Sequence, residues 1–164
     1  MSYQPYPTSG QTPEPQQRPP APNSVQTAVK LMYAGAALSL IELIVSLATI
    51  ASLKSAILKK YPNYTSTQIH SAEVAIVAGV VIEAVIAIGL WLWMAWANGN
   101  GRSWARVVSA VFFGINTLDL LISLFAVHAV ATLIIGVAIW LVGLAAIVLI
   151  FSKESRPFYN RQSA

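Results

Sequence analysis

Four apolar runs dominate the chain, over about 31–53, 74–97, 105–127 and 129–151, and only short polar connections separate the last three. Each run is close to the ~20 residues that an α-helix needs to cross a hydrocarbon core. The pattern predicts an all-α integral membrane four-helix bundle over 29–152. A Pro/Gln-rich tail over 1–28 precedes it and a short polar tail over 153–164 follows. The first apolar run starts only after about thirty polar residues and shows no small-residue cleavage pattern, so it reads as a retained span rather than a signal peptide. Residues 1–24 hold seven of the nine prolines, which favours solvated, extended conformations and predicts a disordered tail.

Spacing within the runs shows which face each helix turns inward, because residues three, four and seven apart share a face. In the first span that face carries Gly35, Ser39, Glu42, Ser46 and Thr49, and in the second Gly79, Glu83 and Ala87. The third offers Ser109, Asn116, Asp119, Ser123 and Ala126, and the fourth Ala129, Thr132, Gly136, Trp140, Gly143 and Ala146. Small and hydroxylated residues along one stripe are what close-packed membrane helices use, since lipid already satisfies the apolar faces.

Three of these stripes carry an acid at mid-span. Glu42, Glu83 and Asp119 fall within about one helical turn of the same depth, at a rise of roughly 1.5 Å per residue, and no Lys or Arg lies at that level. Trp140 reaches the same depth, and Asn116 lies one turn from Asp119. The five residues form an expected intramembrane polar layer. A carboxyl buried without a cation favours its neutral form, in which it donates a hydrogen bond. Asn116, Ser39, Ser46 and Ser123 would accept, and the Trp140 indole would donate to any acid left ionised. Three roles are open to such a layer: hydrogen-bonded glue between helices at about 1 kcal/mol each, a proton or cation pathway, or a dock for a partner's basic membrane residue. There is also a hint of duplicated hairpins. Ile41-Glu42-Leu43-Ile44-Val45-Ser46-Leu47 matches Leu118-Asp119-Leu120-Leu121-Ile122-Ser123-Leu124 in character, and aligning Gly79 with Gly136 then sets Glu83 opposite Trp140.

Composition agrees with a membrane chain: 56% of the 164 residues are apolar and 10% charged, against roughly a quarter charged in soluble domains. Arg18, Lys30, Arg102, Arg106, Lys153, Arg156 and Arg161 fall on one side of the expected topology, and Lys54, Lys59 and Lys60 on the other. Because Lys and Arg are retained on the cytoplasmic side, both termini are expected inside a plasma membrane. Trp91, Trp93, Trp96 and Trp104 flank the 98–103 turn and read as an interfacial belt. In the connection between the first two spans, Pro62 should end the first helix at about Tyr61. Thr65 with Gln68 reads as a capping box for the second helix.

Several chemistries find no support. With no cysteine there is no disulfide, thiolate metal site or thiol nucleophile. Asn98-Gly99-Asn100-Gly101 is a tight turn rather than a nucleotide loop, since it follows no strand. His70, Glu73 and His128 near the outer rim read as residues facing water more readily than as a metal site. No catalytic set and no cofactor motif is present, so no enzyme activity is expected. No basic and aromatic patch lies in water, so no nucleic acid is expected as a partner. The expected partners are the lipid bilayer and either another membrane protein or a second copy of the chain.

The segment Gly89-Leu90-Trp91-Leu92-Trp93-Met94-Ala95-Trp96-Ala97-Asn98-Gly99-Asn100, continuing through Gly101-Arg102-Ser103-Trp104-Ala105-Arg106 and set behind a Pro/Gln-rich head, resembles small four-span membrane proteins of actinobacteria. That resemblance, over about 1–152, implies a plasma membrane and a helical bundle, and carries no activity or site. From the sequence, the chain is expected to act as a non-enzymatic accessory or scaffold subunit. The alternative is a small proton- or cation-coupled transporter using the intramembrane carboxylates.

Overall fold

A computed structural model describes residues 20–49, 55, 58–125 and 130–160, and all its regular structure is helical. Four long helices run antiparallel in chain order: α1 (Asn23–Ala48), α2 (Ser66–Gly99), α3 (Ser103–Ser123) and α4 (Val130–Ile150), followed by a short α5 (Arg156–Asn160). All four long helices have the length and hydropathy to cross a bilayer, so the chain is a multi-pass membrane protein built as a four-helix bundle. The proline-rich segment 1–19 lies outside the described residues, as do Ala126, His128 and Ala129.

Local chemistry explains where α2 starts. The Thr65 hydroxyl accepts from the Gln68 backbone N–H at 3.3 Å, and the Gln68 side chain accepts from the Thr65 N–H at 2.9 Å. This is the reciprocal capping box that the sequence predicts. At the other end α2 runs through Asn98 and Gly99, so the turn that reverses the chain into α3 is confined to Asn100, Gly101 and Arg102. Gly101 takes φ 70° there, and a Cβ at that position would meet the Phe158 ring at 2.8 Å. Both the backbone and the close approach therefore require glycine.

Two boundaries differ from the hydropathy pattern. The first helix begins at Asn23, so that part of the segment read as tail is bundle: Ser24, Val25 and Ala28 are buried. The first helix also ends at Ala48, well before Pro62, with Thr49 as its C-cap. The final polar segment is not a free tail either. α5 folds back and buries Tyr159 completely.

The helices do not pack evenly. α1 lies closely against both α2 and α4, α3 rests on α4, and α2 and α3 touch sparingly. The core is concentrated at the end that carries the α2–α3 turn, where Val25, Ala28, Met32, Met94, Ala95, Ala97, Ala105, Ala146, Ile150 and Tyr159 form one cluster. Alanines dominate this list because small side chains let membrane helices approach closely. Gly35 allows the closest approach, with the Trp91 indole against its Cα. The two sequence hairpins α1–α2 and α3–α4 are therefore unequal, since an exact copy would pack α2 on α3 as closely as α4 on α1.

Candidate functional site: a carboxyl-lined cavity between the helices

From the inner edge of the turn-end core toward mid-span the bundle opens into two adjoining cavities. The central one, of about 320 Å³, is bounded by all four long helices. Glu42 with Ser39 and Ser46 comes from α1, Glu83 and Ala87 from α2, Asn116, Asp119 and Ser123 from α3, and Gly136 from α4. The three acids of the sequence pattern thus share one space. They are near enough for their charges to act on one another. Gly136 borders this space, where a Cβ would come into ordinary contact with Glu42 Oε1 at 4.0 Å. Asn116 lines the same space as Asp119.

The second cavity is a larger recess of about 530 Å³ between α2 and α3, backed by Met32 of α1 and Gly143 of α4. Glu83, Asp119, Asn116, Ala87 and Trp91 line both spaces, so the two carboxyls stand on the boundary. Ile82, Ile86 and Ile115 flank the recess and are 56–59% exposed, which shows that it opens sideways through the loosely packed α2–α3 seam.

Among the described residues none of the three carboxyls is hydrogen-bonded to a neighbour, and no Lys or Arg lines either cavity. The expected bonds to Ser39, Ser46, Ser123 and Asn116 are therefore not formed, although all four side chains face the central cavity.

Trp140 corrects the predicted layer. Its Nε1 donates to Thr117 Oγ1 at 2.9 Å, and its ring lies 5.7 Å from that of Phe113. Thr117 in turn donates to the Phe113 carbonyl at 2.8 Å. The indole ties α4 to α3 and lines neither cavity. The reason is local: on α3, Thr117 lies beside Asn116 on the face that α4 covers, and its hydroxyl is free to accept. Trp91, expected as a membrane-surface anchor, lines both cavities, and Phe112 and Phe113 join it in the recess. Trp93 and Trp104 pack on each other with ring centroids 5.4 Å apart, and the Arg102 guanidinium sits 4.4 Å over Trp96.

A second polar cluster, at the turn end, escaped the sequence reading. Asn98 is fully buried; its Nδ2 donates to the Met94 carbonyl and to Ser109 Oγ, each at 2.9 Å, and its Oδ1 accepts from the Tyr159 hydroxyl at 3.0 Å. Ser24 and Ser155 share a hydrogen bond at 2.9 Å. The Arg106 guanidinium lies over the Phe151 and Tyr159 rings, at 4.7 and 5.0 Å. Burial pushes the Tyr159 hydroxyl from 10.0 up to about 12, with the Arg106 charge pulling the other way. This network fastens α5 across α1, α2 and α3 and is structural in character. Asn98 belongs to α2 rather than to the expected turn, and its Tyr159 partner lies 61 residues away in the sequence.

Among the described residues no group of His, Asp and Glu is arranged to hold a metal ion. His70 and Glu73 belong to the exposed loop end of α2, and their third predicted member, His128, is outside the described residues. Comparison with known protein families, curated proteins and solved structures finds no match to this chain.

Proposed function

We propose that the protein is a small carrier for protons or another cation, acting through Glu42, Glu83 and Asp119 and involving no covalent chemistry. One observation carries this reading: three acids from three helices line one cavity with no basic group among the described lining residues. An uncompensated carboxyl inside a membrane is costly, and the cost falls when a proton or cation occupies the site. The glue reading requires hydrogen bonds from these carboxyls to neighbouring helices, and the described residues supply none. The side-opening recess provides a route to the acids that a sealed scaffold would not need. The loosely packed α2–α3 seam is an interface at which two arrangements of the bundle can differ.

The same reading places the protein in a plasma membrane with both termini cytoplasmic. Lys30, Arg102, Arg106, Lys153 and Arg156 gather at the turn end, against Lys59 and Lys60 at the other, which supports a cytoplasmic turn end. A second reading, an accessory or scaffold subunit, draws on the same seam, where a partner's helix would set a basic residue against the acids.

Reconstitution in liposomes separates the two. Proton or cation flux in the native chain, lost in the Glu42→Gln, Glu83→Gln, Asp119→Asn triple variant, is the expected result, and equal flux in both refutes the carrier. A stoichiometric partner recovered from the native membrane in mild detergent, without flux, would favour the accessory role instead.

A further inference from the structure

The two cavities differ in chemistry, and the difference bears on what the acids receive. The central cavity collects the acids and serines, whereas the recess is walled mainly by apolar side chains, with Trp91, Phe112 and Phe113 among them. A bare inorganic ion or a proton has no use for an apolar chamber of about 530 Å³, a volume within the ~300–1,000 Å³ typical of sites for drug-sized organic molecules. Glu83 and Asp119 close the inner side of this chamber, so an apolar body placed in it would bring a positive charge against two carboxyls. The aromatic faces offer the same charge a cation–π attraction, worth most where water is excluded.

We propose that the recess between α2 and α3 is a binding site for a lipophilic organic monocation that enters sideways from the bilayer. The inference rests on the cation-carrier reading and names its substrate class. Three features define the occupant. Two carboxyls with no countercharge among the described lining residues set its sign. The apolar and aromatic walls require a hydrophobic body, and the opening flanked by Ile82, Ile86 and Ile115 makes the lipid phase its source. A partner's transmembrane helix fits less well, because the space is a chamber reaching back to Met32 and Gly143 rather than a shallow groove along the bundle.

Gly79 provides a way to close the chamber without touching the acids. It lines the recess, and a Cβ there would have nothing within 4 Å, so a larger side chain is accommodated by the space itself.

The experiment measures equilibrium binding of tetraphenylphosphonium to the full-length protein in lipid nanodiscs, with tetraphenylborate as the control of the same shape and opposite charge. Saturable binding of the cation is expected, weakened about tenfold or more by Glu83→Gln with Asp119→Asn, given the strength of charge pairing away from water. Gly79→Leu should weaken it similarly while leaving the helical circular dichroism and melting of the bundle intact. Equal binding of the borate, no saturable binding of the phosphonium, or phosphonium binding unchanged in both variants would overturn the proposal. Proton or sodium flux through the liposomes, measured in parallel, keeps the two levels apart. Acid-dependent flux without phosphonium binding overturns the organic-cation site and leaves the carrier standing, whereas loss of both removes the carrier reading as well.

Discussion

Gly35 is where the packing makes its sharpest quantitative demand. A Cβ at this position would lie 2.7, 2.8 and 2.9 Å from three atoms of the Trp91 indole, whereas ordinary contact begins near 3.4 Å. Gly35→Ala therefore forces the ring, or α1 itself, back by about 0.7 Å. The indole is rigid and has no flexible end to yield. It does border the two cavities, so it can retreat into them at a cost of about 1–3 kcal/mol, the usual range for an overpacked core. Against this stands the intrinsic gain of alanine over glycine in a helix, up to about 1 kcal/mol. Gly89→Ala isolates that gain, because nothing lies within 4 Å of a Cβ there. The two alanine variants should thus differ by about 1–3 kcal/mol. At about 2–4 °C per kcal/mol for a chain of this size, Gly35→Ala should melt several degrees below Gly89→Ala in mild detergent. Adding Trp91→Phe to Gly35→Ala should recover part of the loss, since residues in contact are energetically coupled. Melting of Gly35→Ala at or above the Gly89→Ala temperature would refute the tight approach of α1 to α2.

Other parts of the bundle give tests of different kinds. Asn98→Ala leaves the Tyr159 hydroxyl and Ser109 without their buried partner and should cost about 1–3 kcal/mol, read as a lower melting temperature together with faster proteolysis near Arg156. In a phenolate absorbance titration, one tyrosine should ionise near pH 12, and Tyr159→Phe should remove that late phase. Because the folded value lies above the unfolded one, the stability contributed by the neutral hydroxyl is complete below about pH 10 and lost between there and about pH 12. Trp140→Phe keeps the contact with Phe113 but loses the bond to Thr117. It should cost about 1 kcal/mol of stability and leave cation flux and binding unchanged, so a flux defect would return the indole to the acid layer. Thr65→Ala removes the cap of α2 and should destabilise it by about 1 kcal/mol, seen as faster amide hydrogen exchange over the first turn from Ser66.

The spans were legible in the sequence because hydrocarbon thickness imposes a length and an apolar composition on each helix, whatever its neighbours are. The α2 cap was legible because its two side chains lie three residues apart and act locally. The inward face of α1 followed from helical periodicity, and Gly35, Ser39, Glu42 and Ser46 do face the bundle or its cavities. Trp91 stands eight residues after Glu83 on the same face, so its place on the cavity wall was also open to inference. The tryptophans around it are spaced as a surface belt would be, which masks that place in the pattern. What could not be read were choices between neighbours: whether the Trp140 indole meets an acid of the layer or Thr117 depends on how α3 is turned about its own axis, each residue being a step of about 100° around a helix. The docking of α5 was equally hidden, since Ser24 and Ser155 meet across 131 residues and neither belongs to an apolar pattern.

These unread contacts shape the site. The Asn98 network, the Arg106 stack on Tyr159 and the Ser24–Ser155 bond all act at the turn end, where they draw α1, α2, α3 and α5 into one packed body. Among the described residues nothing comparable joins α2 to α3 at the depth of Glu83 and Asp119, and the seam opens there. A bundle tied at one end and loose in the middle keeps three carboxyls from three helices in register without filling the space between them. If the acids carry cations as proposed, loosening the tight end through Asn98 should disturb their flux even though Asn98 lines neither cavity. Flux preserved in an Asn98→Ala protein that has lost several degrees of stability would show that the acids are held by the mid-span contacts alone.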